Sequence, residues 1–219
     1  MDHDALRQAR RSVLQALWRD KLHVEKNALE RSPAEVSARY AHVWEPAQLW
    51  LEALEALPLG LLRLWAEEPR GHLVFTSQPS GYAPGALTWQ GQPLEGVCWL
   101  SLADVRHNSR RAMRTTLALL DHLLGSRAVP EGPWFSQGAG CTPRLRSVAE
   151  RFVALYALGY GAEELEAVDA RSYLSHTLEL YLTLPQRLNV LAPQVYRLYR
   201  STLMREAWWP AATATRTPG

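Results

Sequence analysis

The segment Arg110-Arg-Ala-Met-Arg-Thr-Thr-Leu-Ala-Leu-Leu-Asp-His-Leu-Leu124 decides how the chain is organised. Its apolar residues leave almost no polar face after the first turns, so the second half of this helix is expected to be buried on all sides. Only Asp121 and His122 are polar there. An unpaired buried polar group costs about 1 to 3 kcal/mol, so the imidazole needs a hydrogen-bond partner or a metal. A helix wrapped in this way needs other elements around it, and the composition can supply them. The chain has 219 residues, 47% of them apolar, and a formal charge of 24 minus 22, or +2. Such a chain closes one core, or at most two small ones, and its apolar fraction excludes intrinsic disorder. The most apolar stretch, residues 56–66, is short and broken by Pro58, Gly60 and Arg63, so no membrane span or membrane partner is expected. Met1-Asp2-His3-Asp4 has no signal-peptide pattern, and a cytoplasmic location is expected. Cys98 and Cys141 cannot build a disulfide framework. The composition leaves one oddity, nine Trp against three Phe.

On the N-terminal side, Leu6, Ala9, Val13, Leu14, Leu17, Trp18 and Leu22 recur as the stripe of an amphipathic helix. Ser32-Pro33-Ala34-Glu35 starts a second helix, with serine at the N-cap and proline at the first turn, and Pro46 starts a third that Pro58 ends. Residues 72–77, 86–89 and 96–102 are short, β-branched or aromatic runs separated by turn-forming sequences, and they predict a small sheet. The third run is apolar on both faces, as expected of a central strand covered by helices. From Arg110 the helical pattern persists to about Met204, broken at residues 130–140 and 159–161. The end from Trp208 has no period and is expected to be frayed. The predicted architecture is α+β and mostly helical, with a small sheet and an added N-terminal helical layer. Its boundaries are 1–56 for that layer, 57–206 for the main domain and 207–219 for a flexible tail.

The order of these elements, with Trp134-Phe-Ser-Gln-Gly-Ala-Gly140 after the buried helix and then Tyr181-Leu182, Pro185-Gln-Arg-Leu188 and Ala192-Pro-Gln-Val-Tyr196, resembles the zincin peptidases related to anthrax toxin lethal factor. The likeness spans residues 57–204. In that family the buried helix carries His-Glu-x-x-His, in which two imidazoles one turn apart chelate zinc and the glutamate activates water. A later helix supplies the third ligand. The resemblance places those ligands at Ala118, His122 and His176, and the general base at Leu119. Alanine and leucine can perform neither role, and a catalytic zinc needs three protein ligands and an open position. What the resemblance implies is therefore a degenerate, non-catalytic member, a protein-binding or regulatory module without a cofactor, whose old active-site groove is bordered by Trp134 and Ser136.

Two alternatives accompany this expectation. A divergent zinc hydrolase would use His122 and His176 with Glu179 or Glu150 as third ligand. A DNA-binding protein would use the basic face of Arg106, Arg110, Arg111 and Arg114, extended by Arg144, Arg146 and Arg151. Residues 161–178 also have the layout of a helix-turn-helix with residues 172–178 as recognition helix, although that helix lacks Arg, Lys, Asn and Gln to read base edges. Cys98, in the central strand, is expected to be inert, whereas Cys141, at a helix start, is a candidate for a lowered thiol pKa.

Overall fold

A computed structural model describes residues 3–107, 109–126 and 131–210. In chain order its helices and strands are α1 (His3–Lys21), β1 (Leu22–Val24), α2 (Ala28–Arg31), α3 (Ala34–Ser37), α4 (Glu45–Leu54), α5 (Leu59–Glu67), β2 (His72–Thr76), β3 (Gly81–Trp89), β4 (Gln92–Ser101), α6 (Leu102–His107), α7 (Ser109–Gly125), α8 (Pro143–Tyr156), α9 (Ala170–Thr183), α10 (Pro185–Leu191) and α11 (Pro193–Ser201). The fold is α+β and mostly helical, as the sequence predicts. Its four strands lie in the order β1-β2-β4-β3, with β1, β2 and β4 parallel and β3 antiparallel at the edge.

The sheet is larger than the periodicity indicates. Leu22-His23-Val24, read as the end of the first helix, pairs in parallel with Leu73, Val74 and Phe75. Three residues are too few for a period to show. The stretch from Gly81 to Gly85, read as a turn, is the first half of β3, and a register shift between Ala83 and Ala86 accommodates Pro84. The turn itself is only Gln90-Gly91, both left-handed (φ 50° and 82°), the geometry whose twist suits a two-residue hairpin. β4 is central, but among the described residues helices cover only one of its faces. Cys98 and Leu100 enter the main core, while Val97 joins Val74 and Leu94 in a small outer cluster flanked by half-exposed Trp89 and Trp99.

One continuous core runs from Leu14 to Trp209. The N-terminal segment is therefore not an added layer: it supplies a strand, and Leu17, Trp50 and Leu54 are core residues. The segment after Arg205 is also packed, contrary to the frayed end expected from its lack of period. Trp209 is buried, its indole N–H donates to the Leu203 carbonyl (2.9 Å), and its Cβ sits where any side chain on Gly60 would collide. Glu206 accepts from the Leu59 amide at the start of α5 (3.0 Å) and pairs with Arg10 of α1 (3.2 Å), so a carboxylate meets the positive end of a helix. Residues 211–219 of the expected tail lie outside the described residues.

A buried polar junction joins α1, the α5–β2 link and the end of α7. The Lys21 ammonium donates to the carbonyls of Glu68, Pro69 (2.9 Å) and Arg70 (2.9 Å). Arg70 pairs with Glu68 at 3.0 Å, both nearly fully buried, and also donates to the Ser126 carbonyl after α7. Burial pushes Lys21 down to about 8 against the pull of Glu68 and Asp20, so it is charged at neutral pH and its three protons match three acceptors. Lys21→Met leaves those carbonyls without a donor. It should cost on the order of 2 to 4 kcal/mol in urea unfolding, whereas Lys26→Met, at an exposed position, should change little.

Candidate functional site

The second half of α7 is buried as its sequence demands, from Leu119 to Gly125, and Ala118 is the half-buried exception. Ala118 lies in a hollow of about 680 Å³ between the start of β3, α7 and α9. Gly81 and Tyr82 form one wall, Glu166 and His176 another, and Arg110, Arg111 and Arg114 lie along α7. Two of the three positions that the resemblance singles out, Ala118 and His176, thus face one space.

His122 does not join them. Its Nδ1 is 2.7 Å from the Tyr82 hydroxyl, its ring stacks on Trp134 (centroids 4.9 Å apart), and Tyr82 meets Trp134 edge-on. The Arg171 guanidinium covers the far side of Trp134 at 4.2 Å. Burial, together with Arg70, lowers the His122 pKa to about 4, with the Gly132 backbone pulling the other way. The imidazole is neutral, and its buried Nε2 has no hydrogen-bond partner among the described residues. Tyr82 is likewise held in its phenol form, pushed up chiefly by burial.

The neighbouring Asp121 is engaged elsewhere. Its two oxygens take the Ser136 amide and hydroxyl, each at 2.7 Å. Gly125 permits this arrangement: a Cβ there would come within 2.6 Å of the backbone of Pro133, Trp134 and Phe135, so only glycine lets the 134–137 turn cross the end of α7. The Leu124 carbonyl then accepts from the Cys141 amide (2.8 Å). Trp134 and Ser136 are both interior residues, Ser136 completely so. The expectation that they border an open groove is thereby corrected, since the turn folds inward to satisfy Asp121 and to cover His122.

The zinc alternative meets the same difficulty. His176 holds the Leu165 carbonyl through Nδ1 (2.5 Å), and burial keeps its pKa below the ordinary range. Glu179 is fully buried and engaged by Arg114 (3.2 Å), Arg110 (3.5 Å) and Thr183 (3.0 Å), and Glu150 is exposed on α8. No three His, Cys, Asp or Glu side chains converge as a metal site among the described residues. The residues present do not fit the ion.

The basic face is also changed by its partners. Arg110 and Arg114 hold Glu179, and Arg111 lies 3.6 Å from Asp104, which leaves Arg106 exposed beside paired neighbours. That face is a groove wall with its own carboxylates, not a free cationic stripe. The helix-turn-helix layout fails outright, because Tyr173, Leu174, Thr177 and Leu178 of the supposed recognition helix are buried. The Cys98 thiol is buried and pushed well up by desolvation, as an inert core thiol should be. Cys141 precedes the cap of α8, which is Thr142, accepting from the Leu145 amide (3.2 Å). Tyr82 and Glu166 were not singled out from sequence. Tyr82 sits in the Gly- and Pro-containing stretch whose composition signals a turn, and Glu166 is one of several acids in a polar run.

Comparison with protein-family models, curated proteins and solved structures yields no match to this chain.

Burial raises the Asp121 pKa to about 7, partly opposed by its hydrogen bonds to Ser136 and by Arg171, with Asp169 adding to the rise. A raised acid destabilises the fold as pH climbs from the ordinary carboxyl range to about 7, whereas neutral His122 destabilises it as pH falls from about 6.5 towards 4. Asp121→Asn keeps the Ser136 amide as donor to Oδ1, makes the Ser136 hydroxyl an acceptor from Nδ2, and removes the titration behind the first effect. Relative to the wild type, this variant should gain on the order of 2 kcal/mol in urea-unfolding stability between pH 5 and pH 7.5. An unchanged difference would show that Asp121 is ionised throughout that range.

Proposed function

We propose that the chain is a non-catalytic, zincin-like protein-binding module that takes an extended peptide of a partner protein along the free edge of β3. One observation carries this reading: Ala118 lines a hollow of about 680 Å³ beside the outer edge of β3, which pairs with no strand among the described residues, while His122 is withdrawn beneath Tyr82 and Trp134. An edge strand offers its outward N–H and C=O groups to a segment of another chain, and neighbouring pockets select its alternate side chains. The wall formed by Arg110, Arg111, Arg114, Glu166 and His176 provides those polar contacts. Leu119, at the position of the family's general base, is an apolar core residue, so it provides no base to activate water. In this reading the edge strand β3 and the buried helix α7, with α9 packed against it, correspond to the groove kept by a peptidase that has lost its metal. A protein partner is thus preferred to nucleic acid, because the arginines on this side already hold carboxylates. Among the described residues no helix is long and apolar enough to cross a membrane.

Selection from a displayed peptide library tests the reading. The wild type should enrich peptides that are recovered uncut after long incubation, and Ala118→Phe, which fills the floor of the hollow, should weaken them at least tenfold (about 1.4 kcal/mol) without lowering Tm. Failure to enrich peptides, cleavage of the enriched ones, or binding indifferent to Ala118→Phe would overturn the proposal.

A further inference from the structure

All but two of the 24 basic residues, Lys21 and Lys26, are arginine. In the groove and at the junctions between elements these arginines have carboxylate partners: Arg110 and Arg114 with Glu179, Arg111 with Asp104, Arg70 with Glu68 and Arg10 with Glu206. A surface formed by α8, α11 and the turn after α11 gathers other arginines around one hollow. Arg197, Arg200, Ser201 and Arg205 line a hollow of about 660 Å³. Arg197 and Ser201 are shared with an adjoining hollow of about 580 Å³, which also contains Arg151 and the apolar side chains of Ala154, Leu155 and Leu198. Among the described residues none of Arg151, Arg197, Arg200 and Arg205 forms an ion pair. Glu206, next to Arg205, is taken by Arg10 and the Leu59 amide.

We propose that this surface is a second binding site, independent of the β3 groove, for a phosphorylated segment of a protein partner. Three guanidinium groups around one hollow repel one another, and the negative end of α11 offsets only part of that repulsion. A dianionic phosphoryl group would neutralise the rest through paired N–H donors, for which the planar guanidinium is better shaped than an ammonium. The hydroxyl of Ser201 turns back to the Arg197 carbonyl (2.8 Å), and Arg197 Nε donates to the Pro193 carbonyl (3.2 Å), which leaves the terminal guanidinium nitrogens for the ligand. The adjoining half-apolar hollow takes an aliphatic side chain next to the phosphorylated residue. Among the described residues no aromatic ring lines either hollow to offer a platform on which bases would stack. Nor, among those residues, is either lined by a large exposed apolar side chain of the kind that enters a bilayer.

Fluorescence polarisation on the full chain, with a labelled pool of phosphoserine-centred peptides and its unphosphorylated counterpart, tests this. The phosphorylated pool should bind at least about tenfold tighter and be displaced by inorganic phosphate. Arg200→Gln or Arg205→Gln should each remove that advantage at unchanged Tm, and Arg39→Gln, at an exposed position outside both sites, should leave it intact. Equal binding of the two pools, or no binding of either, would overturn the proposal. Tighter binding of a single-stranded oligonucleotide or of phosphatidylserine vesicles, lost with the same two variants, would overturn it in favour of nucleic acid or a membrane surface.

Discussion

Three backbone carbonyls, those of Glu68, Pro69 and Arg70, converge on the ammonium of Lys21, and the buried Glu68–Arg70 pair lies beside them. The carbonyls belong to the end of α5 and the link into β2, where they would otherwise lack donors in an apolar surrounding. Because Lys21 is the last residue of α1, its capture fixes where β1 begins and therefore its register against β2. Arg70 reaches the Ser126 carbonyl, which places the end of α7 against the same link. An ion pair this deep adds little net stability, but it ties one arrangement of sheet and helices together, because each alternative strands a charge. The Trp65 indole, donating to the Gly71 carbonyl at 2.7 Å, closes the junction.

That last bond bears on the tryptophan-rich composition. Trp65, Trp50 and Trp209 are buried, and each indole N–H finds an acceptor: Gly71 carbonyl, Thr116 hydroxyl and Leu203 carbonyl. Phenylalanine would fill much of the same volume without joining α5 to β2, α4 to α7, or the final turn to the segment after α11. Tryptophan here supplies both bulk and a directional link. Trp134 has a different role, as a flat cover that keeps His122 neutral and away from the hollow.

Much of this was legible in the sequence where one element could be judged by itself. The burial of α7, the central position of β4 and the helical stretch from α7 to α11 follow from runs long enough to show a period. The first half of β3 was not legible, because Gly81, Pro84 and Gly85 have turn chemistry and the strand forms only through its pairing with β4. The site divides in the same way. Spacing along α7 gave the polar pair Asp121 and His122 and the alanine one turn before. That Ser136 would turn inward to Asp121, or that Glu179 would meet Arg110 and Arg114, depends on which surfaces meet between elements. Single-chain spacing carries no record of that.

The interruption in β3 has a consequence for how the molecule behaves in company. Pro84 lacks an amide proton, and the register shift from Ala83 to Ala86 divides the outer edge into two short stretches, 81–83 and 86–89. Each is long enough to hold a few residues of a foreign strand, and neither is a straight template along which identical chains could zip in register. An open edge in a sheet this small invites stacking of copies into fibrils, and the kink removes the continuous ladder that such growth requires. The irregularity that hides the strand from its sequence also keeps its edge available while opposing self-association.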